Sequence, residues 1–174
     1  MTRKWPPNSP MPESGVVVAN SGPIIALAVI GQLELLGKLY DRVVVPDAVF
    51  REVSGDPGRP GAAELTAATW VDRIVLDVPP DPLLAEELGA GEAEAITLAA
   101  RRHARLLLMD DRRARRVAEA AYGLRVRGVA ALVVAAKRQG FVGAVRPLLE
   151  AMRTRGYFLS DRVLTRACRE AGEE

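Results

Sequence analysis

The sequence predicts a three-layer α/β/α sandwich built on a mainly parallel five-stranded sheet, and three observations lead there. Short apolar runs, β-branched or leucine-rich, alternate along the chain with longer segments of helical spacing. Val16 to Ala19, Val43 to Val45 and Leu106 to Met109 are apolar at every position instead of every second one, which is the pattern of strands covered on both faces. Gly, Pro, Asn or Asp closes each run, and strands alternating with helices through right-handed crossovers place helices on both sides of one sheet.

Taken in order, Val16 to Ala19 is the first strand, ended by Asn20-Ser21-Gly22-Pro23. Pro23 can open a helix, and Leu27, Ile30, Leu33, Leu35, Leu36 and Leu39 keep apolar helical spacing through a break near Gly31. Val43 to Val45 is the second strand, and Pro46 starts a short helix that buries Val49 and Val53. Ser54 to Gly61 is a Gly- and Pro-rich loop, Ala62 to Ala68 a small helix and Trp70 to Leu76 a strand, with a break at Pro79 to Pro82. A helix from Gly91 to His103 leads into the strand Leu106 to Met109. Ala114, Val117, Ala118 and Ala121 then mark one face of a helix that Gly123 stops. Leu124 to Arg127 is the last strand, followed by helices over 129–138, 143–155 and 160–171, with Ser160 a good cap for the last.

The chain has 174 residues, 49% of them hydrophobic, which suits one folded domain over 15–174. Residues 1–14 carry four prolines and no periodicity, so they read as a mobile tail or as an upstream start before Met11. Cys168 is the only cysteine, which excludes an intrachain disulfide and fits a reducing cytoplasm. The longest apolar runs, Ile24 to Ile30 and Val129 to Ala136, fall short of the roughly 20 residues of a membrane helix, and no signal peptide is visible. Net charge is only +2, but Arg101, Arg102, Arg105, Arg112, Arg113, Arg115, Arg116, Arg125 and Arg127 surround Asp110-Asp111 in sequence. Such a rim matches the phosphates of a nucleic acid, with Arg112, Arg113 and Arg116 the candidate contacts; a genome that favours arginine codons is the bland alternative.

Two carboxylates, Asp110 and Asp111, stand where a buried strand gives way to a helix. In open parallel sheets the carboxyl ends of strands face the ligand crevice. Asn20 ends the first strand and is a neighbour of Asp110 if the two strands pair. Glu52 lies in the last turn of its helix, where the macrodipole disfavours an acid, while Glu92 lies in a first turn, where an acid is favoured in any case. Asp110 has a bland reading too, as a helix cap. Together the four supply one amide oxygen and three carboxylates, the all-oxygen set that suits Mg2+ or Mn2+ and could hold a scissile phosphate for attack by a metal-bound water. His103, the one histidine, is not needed. Glu94 follows Glu92 by two residues, about 200° around a helix, and is expected to meet solvent or a partner.

The order Val-Val-Val-Ala-Asn20-Ser21, Pro46-x-x-Val-x-x-Glu52-Val, Gly89-Ala-Gly-Glu92-Ala-Glu94-Ala-Ile and Leu-Leu-Leu-Met-Asp110-Asp111 resembles the PIN-domain proteins. It is most like a branch whose first strand ends in Asn-Ser or Asn-Thr and whose third motif reads Gly-Ala-Gly-Glu-Ala-Glu. The resemblance runs from about Val16 to the C-terminus, including Leu159-Ser160-Asp161 and Arg169 to Glu173. It implies Mg2+- or Mn2+-dependent cleavage of RNA, often by a toxin of the VapC kind opposed by a small antitoxin protein, and a homodimer. Under it Glu52, Glu92 and Asp110 take the places of three catalytic acids, Asp111 supplements Asp110, and Ser21 takes the hydroxyl position beside the first acid. Asn20 departs from the usual Asp, keeping an oxygen but removing a charge, so a catalytically weakened RNA- or protein-binding module is the alternative. A phosphatase would need an Asp nucleophile in place of Asn20, and a receiver domain a late strand-end lysine where Lys137 falls inside a helix.

Overall fold

Strand residues point alternately into two separate apolar clusters, and that alternation builds the layers. The computed structural model describes residues 3–4 and 15–173. Val17 and Ala19 of β2 (Val17–Ala19) pack into one cluster with Val43 and Val45 of β3 (Val43–Pro46), Val71 of β4 (Val71–Ile74), and Leu106 and Leu108 of β5 (Leu106–Leu108). Val18, Ile74 and Leu107 point into the other. The first cluster is closed by α1 (Ser21–Val29), α2 (Leu35–Tyr40), α3 (Asp47–Ser54), α4 (Ala62–Ala67), α8 (Val129–Arg138), α9 (Arg146–Thr154) and α10 (Asp161–Glu170). The second is closed by α5 (Pro82–Glu87), α6 (Ala90–Arg101) and α7 (Arg112–Tyr122). This is the expected three-layer α/β/α sandwich.

Every strand pairing is parallel, in the order β1-β4-β3-β2-β5-β6, with β1 at Arg3–Lys4 and β6 at Val126–Arg127. Arg3 pairs with Asp72 and Lys4 with Arg73, so a sixth, two-residue strand adds to the five expected. Apart from that pair, the reading of residues 1–14 as a tail lies outside the described residues. The chain runs outward from β2 through β3 to β4, then returns to place β5 on the other side of β2. The direction of winding therefore reverses between β2 and β5, and a crevice opens at their carboxyl ends.

Two local readings change. Asp81-Pro82 was expected only to break the chain, yet it starts α5, because the Asp81 carboxylate accepts from Leu83 N at 2.8 Å and Pro82 fills a first-turn position that needs no donor. The first helix begins at Ser21 instead of Pro23, and its break at residues 30–34 falls where Gly31 suggested. Asp72, almost fully buried, pairs with Arg42 at 2.8 Å near the amino ends of the strands; a cavity lined by Tyr40, Arg42, Asp72 and Arg102 lies there, away from the crevice. Among the described residues no helix is long and apolar enough to cross a membrane.

The C-terminal segment is clasped onto the first layer by one carboxylate. Glu173 Oε1 accepts from Lys137 Nζ and from Val145 N, each at 2.7 Å, and Oε2 accepts from Arg146 N at 2.9 Å, so the carboxylate caps α9 from outside. The Lys137 bond, with the Arg146 and Val145 amides, pulls its pKa from 4.5 to about 2. A depressed acid stabilises the fold at pH values above its ordinary range and ceases to do so as pH falls through the folded value. Glu173→Gln should therefore lower Tm at neutral pH, with the difference from wild type shrinking as pH drops from 4.5 toward about 2. A Tm gap that stays constant across thermal melts in that range would show that the charge is not what holds the clasp.

Candidate active site

Pairing of β2 with β5 brings the first two polar groups together. Val17, Val18 and Ala19 lie opposite Leu106, Leu107 and Leu108, and Asn20 N extends the ladder by donating to Leu108 O at 2.9 Å. Asn20 is thus the last residue tied to the sheet, and Asp110 stands just past the end of the neighbouring strand. Asn20 is also the N-cap residue of α1, where an Asn oxygen ordinarily accepts from the helix's own amides. It makes no such bond. Its amide Nδ2 instead reaches Glu92 Oε1 at 3.5 Å, and Oδ1, buried, has no donor among the described residues.

Three elements converge on that unused oxygen. Gly91, in the first turn of α6, has no side chain, and a Cβ there would lie 3.0 Å from Glu52 Oε2 and 3.5 Å from Asn20 Oδ1. The space over Gly91 therefore brings Glu52 of α3 to the oxygen of Asn20, at the junction of β2 and α1, while the Asn20 amide nitrogen meets Glu92 of α6. Glu92 is half-buried, and Glu52 is exposed on the open side. Ser21 is buried behind them at the start of α1. Glu94, expected at solvent or a partner, does a different job: its Oε2 accepts from Ala48 N at 2.9 Å in the first turn of α3. Asp47 in that turn also pairs with Arg51 at 2.8 Å and with Arg73 at 2.6 Å. Helix α3 is pinned at its N-terminus by the same helix that carries Glu92, and this sets where Glu52 projects.

Asp110 occupies an adjoining, separate niche. Its Oδ1 accepts from Val129 N at 2.9 Å, so it serves the N-terminus of α8, and its Oδ2 accepts from Tyr157 Oη at 2.7 Å. Burial pushes the carboxyl above its ordinary range, opposed by the Tyr157 and Val129 bonds and by the Arg115 charge. The same contact, together with burial, drives the Tyr157 hydroxyl upward, so it stays a donor. The capping alternative for Asp110 thus applies to a different helix than the one that follows it. Asp111 caps α7, its Oδ1 accepting from Ala114 N at 2.8 Å, and its side chain is exposed. Tyr157 was not a candidate in the sequence, where its aromatic ring between Gly156 and Phe158 carries no signal of its own.

The arginine rim divides. Arg112, Arg113 and Arg116 lie exposed on α7, which begins beside Asp111. Arg105 stacks over Tyr40 at 5.7 Å before the start of β5, and Arg102 lines the cavity at that same far end, so the nine arginines adjacent in sequence are not one surface.

The donors over Gly91 fit a hard divalent cation in kind: all are oxygens, one is an orphan, and a neutral amide beside two carboxylates limits their repulsion. Among the described residues no group of three or more His, Cys, Asp or Glu could hold a metal ion. The structure brings Asn20 together with Glu52 and Glu92 and leaves Asp110 on its own partners.

The chain belongs to the PIN-domain family: the family model DUF3368, a PIN domain, matches residues 16–173. No curated protein and no solved structure matches it. PIN domains are typically nucleases that bind RNA and use divalent metals.

Gly91→Ala tests the convergence. Alanine is favoured over glycine by about 1 kcal/mol within a helix, so Tm should hold or rise. Its methyl would meet Glu52 Oε2 at 3.0 Å and displace that flexible carboxylate, so Mn2+ affinity measured by isothermal titration should fall. Unchanged affinity would place the cation elsewhere.

Proposed function

We propose that this PIN-domain chain is a metal-dependent endoribonuclease that hydrolyses RNA phosphodiester bonds at the β2–β5 crevice. The observation that carries the reading is Asn20 Oδ1, a buried oxygen with no donor among the described residues, which faces Glu52 across the gap left by Gly91 while Nδ2 of the same amide holds Glu92. A buried acceptor without a partner costs about 1–3 kcal/mol, and a cation would recover it. Mg2+ or Mn2+ would be held by Asn20, Glu52 and Glu92, with Asp110 at the next position, and supplies an acidified water and positive charge against the phosphate.

The chain's own residues do the rest. Glu52, on the exposed side, is placed to accept a proton from an attacking water entering from solvent. Asp110, held in one orientation by Val129 N and Tyr157 Oη, presents a fixed carboxylate across the crevice. Arg112, Arg113 and Arg116 supply a positive track for the strand along α7. Asp111 supplements the acids only by leaving its cap on α7. A toxin opposed by a small antitoxin, a homodimer and a cytoplasmic location belong to the same reading and rest on the PIN-domain resemblance.

A second reading has its own support. Asn20 removes a charge from the cation's ligands and Asp110 is already satisfied, which is what an RNA- or protein-binding module with disarmed chemistry would show. The two separate in one series. For the nuclease, Mn2+ titration gives binding that Glu92→Gln abolishes, and a pool of structured RNAs is cut by wild type and left whole by Glu92→Gln and Asp110→Asn. Asn20→Asp should then bind Mn2+ more tightly, because a fourth carboxylate adds attraction, and should gain more Tm on metal addition than wild type does. Absence of Mn2+ binding at millimolar concentration would establish the binding module, and cutting unaffected by Asp110→Asn would move the chemistry off this crevice.

A further inference from the structure

One cation at the crevice remains unassigned by the site as described. Arg115 lies on α7, one turn in from Asp111, and is half-buried where Arg112, Arg113 and Arg116 are exposed. Its guanidinium reaches the floor of the Asp110 niche: a Cβ on Gly128 would lie 3.3 Å from Arg115 Nη1 and 2.5 Å from Asp110 Oδ1. Yet the guanidinium makes no hydrogen bond or ion pair among the described residues, although Asp110 feels its charge. Asp110 accepts from Val129 N at Oδ1 and from Tyr157 at Oδ2, and neither oxygen is bonded to Arg115, which bears on it by charge alone.

A guanidinium that has lost part of its water without gaining a bonded acceptor is under-satisfied, with five N–H donors to place. It stands beside the N-terminus of α8, a ten-residue helix whose first amides add further positive potential at the same spot. What that combination lacks is a tetrahedral anion with two oxygens to present, and planar guanidinium forks match phosphate in that way.

We propose that Arg115 is the residue that receives the backbone phosphate of the RNA strand beside Asp110, in distinction to the exposed arginines of α7, which track the strand from outside. The proposal rests on the nuclease reading for the identity of the strand, but its physical content is a single phosphate contact that needs no metal and no cleavage. Gly128 belongs to it as well, because any side chain there would fill the space between the guanidinium and the carboxylate.

The test is fluorescence anisotropy of a short fluorescein-labelled single-stranded RNA of mixed sequence, titrated with the full chain in EDTA at several salt concentrations. Arg115→Gln keeps most of the side-chain stem and removes the charge. It should weaken binding roughly tenfold or more and reduce the slope of log affinity against log salt by about 0.7, the signature of one lost phosphate contact on a single strand. Arg115→Lys should keep the slope but lose part of the affinity, because an ammonium cannot form the fork. Mn2+ affinity should not fall in either variant, since a positive charge has been removed or retained beside the acids. Wild-type RNA affinity and slope in Arg115→Gln would overturn the proposal; if circular dichroism shows that variant unfolded, full wild-type affinity in Arg115→Lys would overturn it instead. Should wild type neither bind Mn2+ nor cut RNA, the nuclease reading fails on its own, and the anisotropy in EDTA still decides Arg115.

Discussion

Val17 against Leu106, Val18 against Leu107 and Ala19 against Leu108 hold the two halves of the sheet together, and the site inherits its geometry from that register. Side chains alternate faces along a strand, so a slip by one residue would send Val18 into the first apolar cluster and turn Ala19 into the second. The two clusters differ in shape and in the helices that close them, which makes such a slip expensive throughout both layers. Because the same ladder ends with Asn20 N on Leu108 O, the position of the orphan oxygen is set by core packing and not by polar contacts of its own. Hydrophobic burial, the largest favourable term in the fold, fixes the most delicate polar atom in it.

Around that atom the protein keeps its charges apart. Three carboxylates at one crevice would repel, and the structure manages this by giving each a different environment. Glu92 takes a donor from Asn20, Glu52 stays in water, and Asp110 is placed on a helix N-terminus and a tyrosine hydroxyl. An amide at position 20 is consistent with this economy, since it donates to one acid while its oxygen faces the space shared with another. Of the three acids, Glu92 and Asp110 are thus oriented by protein donors, and Glu52 is left to solvent.

Most of the fold was legible because its signals are long-range averages: apolar strands, helical spacing and Gly or Pro punctuation recur enough to outvote local noise. Strand ends and motif order pointed to the region where Asn20, Glu52 and Glu92 meet, but not to the separate niche that Asp110 occupies. What escaped was decided by three-dimensional partners. Asp81-Pro82 carries the same residues as a chain break and as a helix start, and only the Leu83 amide distinguishes them. Asp110 and Asp111 are adjacent and identical, yet one caps the helix that follows and the other serves α8, nineteen residues on. Tyr157 bonds Asp110 and Arg115 bears on it by charge alone, neither of which a local pattern encodes, and the arginines that cluster in sequence separate because β5 runs from one end of the sheet's strands to the other.

Glu94 gives the Gly-Ala-Gly-Glu-Ala-Glu segment a second function on the far side of the same helical turn. With Glu92 meeting Asn20 and Glu94 holding Ala48, α6 reads two neighbours at once, and the angle between them is the helix's own rotation of about 200° over two residues. Substitution at either position removes one contact and leaves the other standing. Insertion or deletion of a single residue upstream in the turn rotates both by about 100° and loses them together. The two contacts therefore depend on the length of the segment jointly and on its side chains one at a time.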